Sequence, residues 1–398
     1  MYKGLYAYAW DLADEGLENA LARIRPTGVN TITLAASYHA GKFLRPHGQA
    51  GKVYFPEDGT VYFQPRPERY GVIKPIVNPL VAEHDMLAAL EREAPDLDRV
   101  AWVVCLHNTP LGRRHPEYVV RNAYGDPYYY NLCPAYEEVR AFVVNLCADL
   151  ADRYELSGLA LETPGWLPFD HGFHHEFAMV PLNRWAKWLL GLCFSEGSRK
   201  GAKAAGLDVD SLQAETRAAL ERFLADDIAV PEAMAAEWLI ADLIADSEWT
   251  AFLNWRCRLV ADLVAEVKAA LPKETRLAVI PTVQRPTAAC WAEGSDVKML
   301  AEAADALEVP AYQATAEEVF ANAWDVRRRA GDDARLHFIL RPSFPDLANG
   351  TETAAAALRL TEVGLSGIAF YNYGHIRLKC LGRVREALAA LETTGKNP

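Results

Sequence analysis

Short apolar runs recur along the chain, each closed by polar or Gly/Pro residues, most of them preceded by a segment with helical spacing. The runs are Gly4–Trp10, Val29–Ala36, Arg99–Leu106, Leu156–Leu161, Arg276–Val283, Ala304–Val309, Arg335–Leu340 and Gly367–Tyr373. Helix-like stretches fall near Gly16–Arg25, Ala82–Glu93, Tyr136–Tyr154, Ala316–Arg329 and Thr351–Glu362, with another starting near Asp296 and a closing one at Cys380–Leu391. Strand-like runs alternating with helices imply parallel strands joined by crossovers. Eight such runs are the number that closes a barrel. An open doubly wound sheet is the rival, but it usually carries a Gly-rich phosphate turn after an early strand, and none occurs. The pattern therefore predicts an α/β fold, a single (β/α)8 TIM barrel over residues 1–398.

Two connections are too long for plain βα loops. Residues 39–81 follow the second run. Within them Lys52–Phe63 repeats Val-Tyr-Phe on either side of Pro56-Glu-Asp-Gly59, which reads as a β-hairpin. Residues 163–273 follow the fourth run and read as a helical insertion, with stretches at Leu182–Phe194, Val209–Leu224 and Pro231–Leu271, the last broken near Ser247. Both leave the C-terminal end of a strand, so both are expected to wall the mouth of the barrel. The apolar edges of the hairpin would need a partner, which predicts a homo-oligomer.

Composition narrows the partners. A formal net charge of −12 argues against nucleic acid, which needs a basic stripe. No apolar stretch is long enough for a membrane span. The cysteines number seven, an odd count with no C-x-x-C pair, so neither a disulfide framework nor a zinc knuckle is expected, and a reducing cytoplasm is the expected location. The N-terminus lacks the apolar core of a signal peptide.

In a barrel the informative side chains are polar ones at strand C-terminal ends. Alternation along Gly158-Leu-Ala-Leu-Glu162 puts Leu159 and Leu161 on the helix side and turns Glu162 inward. The run Ala304–Val309 turns Glu308 inward in the same way. Two inward carboxylates in matched register, two strands apart, suit a pair flanking a glycosidic bond: one protonates the leaving oxygen, and the other traps or stabilises C1. Asp11 and Asp346 are competitors. Other strand ends supply hydrogen-bonding and stacking groups for a sugar: Tyr8, Trp10, His39, His47, His107, Asn108, Trp166, Gln284, Arg341, Tyr371, Asn372 and His375. The segment Asp170-His-Gly-Phe-His-His-Glu176 adds His174 and His175 as substrate contacts. It lacks the His-Glu-x-x-His order, so no metal ligand and no cofactor is expected.

Three stretches carry a family likeness: Ser37–His47, Asn122–Pro134 with its following helix, and Glu162-Thr-Pro-Gly-Trp166 with Asp170–Glu176. They resemble a group of bacterial glycoside-hydrolase-like TIM-barrel proteins, and the likeness runs from the first strand to the eighth. The resemblance implies a functional carboxylate at Glu162 and leaves its partner unnamed. The helix around Leu189–Ser195 is similar to one that often carries two or three cysteines in that group; here only Cys193 remains. The expected activity is that of a glycoside hydrolase or related carbohydrate-active enzyme, acting on a small-molecule carbohydrate with Glu162 and Glu308. The alternatives are a metal-dependent sugar isomerase or lyase using the histidine segment, and a non-catalytic sugar-binding barrel.

Overall fold

The computed structural model describes residues 1–173 and 178–394. Eight parallel strands form its centre: β1 (Tyr2–Ala7), β2 (Thr31–Tyr38), β3 (Asp98–Val104), β4 (Gly158–Glu162), β5 (Arg276–Val279), β6 (Ala306–Pro310), β7 (Leu336–Leu340) and β8 (Leu365–Phe370). Each pairs with the next, and β1 pairs with both β2 and β8, so the sheet closes into a barrel. The outward face of the strands carries the apolar core. Leu5, Leu34, Val103, Leu159, Leu307, Phe338 and Ile368 are all buried and belong to one continuous cluster with the surrounding helices.

The strand ends differ in detail from the sequence pattern. The first strand stops at Ala7 because Asp11 N and Leu12 N turn back onto Tyr8 O, so Trp10 lies in the helix Ala9–Glu15. The loop after β3 holds an antiparallel pair, Val119–Arg121 with Pro127–Leu132, which the pattern did not predict.

The expected hairpin within Lys52–Phe63 is corrected. Val53–Tyr54 pairs antiparallel with Phe43–Leu44, whereas Thr60–Val61 extends the barrel sheet, antiparallel to Ser37–Tyr38 and parallel to Ile76–Val77. The two Val-Tyr-Phe runs look alike but face different solvents. Val61, Tyr62 and Phe63 are buried, while Val53 and Phe55 are exposed. The second run gains more by covering the end of β2 than by pairing with its twin, since apolar burial outweighs the local turn preference.

Beyond β4 the chain builds a second, smaller core. Helices α1 (Arg184–Leu190), α2 (Glu196–Ala204), α3 (Val209–Ala225), α4 (Glu232–Ala245) and α5 (Ser247–Ala270) surround it; Trp185, Trp188, Leu220, Leu239 and Phe252 enter from the helices and Phe194 from the connection between α1 and α2. Asp246 divides the long helical stretch, its carboxylate accepting from Glu248 N at 2.8 Å as the cap of α5. Among the described residues no helix is long and apolar enough to cross a membrane.

Candidate active site

Alternation sends Tyr2 and Tyr6 of β1, Trp102 of β3, Glu162 of β4 and Glu308 of β6 into the barrel. Tyr6 packs on Trp102 with ring centroids 5.1 Å apart. At the C-terminal end the tyrosines close a ring around one carboxyl. Tyr8 Oη donates to Tyr38 Oη at 2.9 Å and lies 2.8 Å from Tyr371 Oη. Trp102 packs edge-on against Tyr38 at 5.0 Å, and its indole N–H donates to Glu162 Oε2 at 2.6 Å. Across the mouth the Arg341 guanidinium lies over Tyr312 at 4.1 Å and Tyr371 at 5.6 Å. Burial first, then neighbouring Tyr371, keeps the Tyr8, Tyr38 and Tyr312 hydroxyls protonated.

Burial pushes the Glu162 carboxyl up to about 7, and the Trp102 N–H, which favours the charged form, draws it only part of the way back. The backbone leaves this residue abruptly. Thr163 sits at φ 53°, a left-handed conformation that a β-branched side chain adopts only under constraint. Two residues on, a Cβ on Gly165 would lie 2.1 Å from Glu293 O, so only glycine lets the exit run against the segment after β5. Replacing Trp102 by Phe removes the indole donor. The Glu162 pKa should then rise by about one to two units, taking a hydrogen bond to a charged group as about 1.5–3 kcal/mol. A carboxyl-selective NMR titration reads this, and an unmoved midpoint would show that the bond does not control Glu162.

Glu308 does not join this mouth, and the expected pair at one rim is corrected. Tyr2 Oη donates to Glu308 Oε1 at 2.8 Å and lies 2.8 Å from Thr33 Oγ1. Glu308 lines a cavity with Met1, Tyr2, Asn30 and Asp98, residues at the N-terminal ends of the strands. The register is as expected: Leu161 faces Val279 and Val279 faces Leu307, so Glu162 and Glu308 are level along the ladder. In a barrel whose strands tilt about 36°, however, crossing two strands changes height by about 6 Å. Burial pushes Glu308 up to about 7 as well, opposed by the tyrosine hydrogen bonds.

Several other candidates are held by packing or polar contacts of their own. His47 is ion-paired with Glu15 and its Nε2 lies 2.9 Å from Tyr373 O. Burial opposes its charge, but Glu15 and that carbonyl hold its pKa above the ordinary value. Asn108 caps the helix Thr109–Arg114 through Leu111 N at 2.9 Å and donates to Gly59 O at 2.9 Å. Its replacement by Ala should cost about 1 kcal/mol of stability, read by denaturant unfolding, and leave catalysis in place. Trp10 stacks on Tyr8 at 4.2 Å and packs under Tyr54 and Tyr62 of the insertion. Trp166 is buried beneath the Arg256 guanidinium, 4.5 Å from its ring. Gln284 lines a side cavity with Phe169, Lys187 and Trp291. Asn372 is buried and accepts from Gly374 N at 3.0 Å. Asp11 is buried 3.6 Å from Arg45. His174 and His175 lie outside the described residues.

His39, His107 and His375 do reach the mouth. His375 stacks on Phe43 at 4.9 Å and lies 5.2 Å from Tyr8. Burial and then the Arg341 charge press its pKa down to about 4, so the imidazole is neutral. His39 and His107 stack face to face at 4.1 Å, and His171 joins them, 5.0 Å from His107. Tyr38, His171 and the competing carboxylate Asp346 complete the surroundings, together with Trp102, Tyr312 and Glu293, which the sequence pattern did not single out as site residues. Alternation alone would have found Tyr312, two residues beyond Pro310 on the inward face. Asp346 is buried between Arg285 at 3.0 Å and Arg341 at 2.7 Å; burial raises its pKa and the two guanidiniums oppose the rise. Glu293, buried and hydrogen-bonded by Thr282, is pushed up to about 8, by burial first and with the Glu162 charge adding to it.

No protein-family model and no curated protein sequence matches the chain. Solved structures do. The chain is similar to the PgaB (BpsB) glycoside hydrolase domain from Bordetella bronchiseptica, at 13% identity and TM-score 0.59, over 97% of this chain and 98% of that one. It is similar to the catalytic domain of β-amylase from Paenibacillus polymyxa at 12% identity and TM-score 0.60, over 100% and 99%. It also matches α-L-fucosidase isoenzyme 2 from Paenibacillus thiaminolyticus at 10% identity and TM-score 0.53, over 99% of this chain and 50% of that longer one. At these identities the likeness is one of fold.

Proposed function

We propose that the chain is a carbohydrate-active enzyme that hydrolyses a glycosidic bond in the C-terminal mouth of the barrel, with Glu162 as the proton-transferring carboxyl. The observation that carries this reading is the Glu162 carboxyl itself. It stands at a strand end, is held by one indole N–H, and titrates near 7, where a carboxyl can both give and take a proton at neutral pH. The surrounding Tyr8, Tyr38, Tyr312 and Tyr371 offer ring faces for sugar C–H surface and hydroxyls for sugar oxygens. Neutral His375 and the Arg341 guanidinium add one further hydrogen-bonding group and a fixed positive charge.

The second carboxylate in this reading is Asp346. Its charge and that of Glu162 both reach Tyr312, and Arg285 and Arg341 orient it. Glu308, on the far side of Tyr6, keeps a structural place in the barrel interior. The solved glycoside hydrolase domains that share the fold support the reaction class. A panel of nitrophenyl glycosides and unactivated oligosaccharides, assayed with wild type, Glu162→Gln and Asp346→Asn, tests the reading. Hydrolysis of the unactivated oligosaccharides that both substitutions reduce by at least a hundredfold supports it. Hydrolysis of those oligosaccharides that survives Glu162→Gln removes the proposed acid.

A further inference from the structure

We infer that His39, His107 and His171 form a binding site for one divalent transition-metal ion of the zinc class, set on the rim of the barrel beside the Glu162 mouth. The three histidines follow β2, β3 and β4, which are consecutive around the barrel, so their loops leave the same sector of the rim. One ligating atom from each side chain lies within 4.8 Å of the others. A tetrahedral ion with metal–nitrogen bonds of about 2.0–2.1 Å needs nitrogens about 3.3 Å apart. Convergence on one ion takes about an ångström of nitrogen movement together with a turn of the His39 ring out of its stack on His107, and side-chain rotation of half-buried His39 and His171 supplies both. An all-imidazole set without a carboxylate suits zinc, copper or nickel and not magnesium or calcium.

The neighbours of His39 point the same way. Its Nδ1 lies 2.7 Å from Ala40 O, and a carbonyl only accepts, so Nδ1 is the donor there and Nε2 is the ring nitrogen that would face the ion. Metal-ligating histidines are held in this way, with the second ring nitrogen fixed to a backbone carbonyl. Ala40 N in turn donates to Asp58 Oδ1 at 3.0 Å, and the Tyr38 ring stacks 4.4 Å from His39. His107 is buried and follows the end of β3, where Asn108 caps the next helix. His171 is held by a turn, its N–H donating to Pro168 O at 2.9 Å. Three protein ligands leave a fourth position for water or a substrate hydroxyl. A bound ion would also tie the long connection after β4 to the rim at β2 and β3.

The site does not depend on the hydrolase reading, and a binding experiment separates the two. The full-length protein is stripped with chelator and titrated with Co2+, followed by visible absorption and elemental analysis, and then with Zn2+ in competition. Uptake of one Co2+ per chain with tetrahedral-type bands, displaced by Zn2+, is the expected result. His39→Ala and His171→Ala should each weaken binding at least tenfold and abolish the bands, while Glu162→Gln leaves binding unchanged. His107 is buried and its variant can fail to fold, so the half-exposed pair decides. Absence of stoichiometric uptake by wild type, or uptake unchanged in the His39→Ala/His171→Ala double variant, overturns the site and leaves the Glu162 reading standing.

Discussion

Glu162→Gln should lower turnover of an unactivated glycoside by about 10²–10⁴-fold, the range for loss of a positioned general acid, with the fold intact. Glutamine keeps the shape, and its oxygen still accepts from the Trp102 indole N–H, so the change is confined to the titrating proton. The sign of the pH dependence follows from the role. An acid must carry its proton, so wild-type kcat/KM should fall as pH rises through about 7, where Glu162 ionises, and that limb should vanish in the variant. The leaving group separates acid from nucleophile. A substrate whose leaving group needs no protonation should lose far less in the first step if Glu162 is the acid, and external azide should restore the second step if the enzyme retains configuration. Turnover of the natural substrate within a few-fold of wild type would make Glu162 a structural carboxylate.

Stability should fall between about pH 5 and pH 8, and Glu308→Gln should remove a measurable part of that fall. Glu308 titrates from a reference of 4.5 up to about 7 on folding, because burial disfavours its anion. The folded state therefore holds this proton more tightly than the unfolded chain. The stability it contributes is fully present below about 4.5 and is lost as pH rises to the folded value near 7. At about 1.4 kcal/mol per pH unit, this shift corresponds to about 3 kcal/mol. Glu162, Glu293 and Asp11, pushed up to about 7, 8 and 7 by burial, act with the same sign. Glu308→Gln keeps an acceptor for Tyr2 Oη and carries no charge. It should be close to wild type at pH 5 and more stable than wild type by up to about 3 kcal/mol at pH 8, by denaturant unfolding at each pH. A constant difference between the two proteins across this range would show that Glu308 does not ionise on unfolding.

The barrel was legible in the chain because its signal is local and repeated. Each strand is a run of bulky apolar residues on one face, such as Leu159 and Leu161, and each is followed by a helix that covers it. Period-2 alternation settled that Glu162 turns inward, since the side-chain direction of a strand residue is fixed by its neighbours. The strongly apolar outward faces left no other register.

What tertiary structure decided are relations between distant segments. Glu162 and Glu308 match along the ladder, yet strand tilt separates them in height, and tilt belongs to the closed barrel and not to any strand. The two Val-Tyr-Phe runs are equal as sequence; the end of β2, which offers Ser37 and Tyr38 an unpaired edge, chose between them. Asp346 sits in a loop six residues past β7, and Arg285, from a loop two strands away, holds it at the wall. His39, His107 and His171 are far apart in the chain and meet because β2, β3 and β4 are neighbours. Sequence patterning determines which face of each element is buried, because burial depends on adjacent residues. The mouth is assembled by closure, which sets heights and partners that no single element contains.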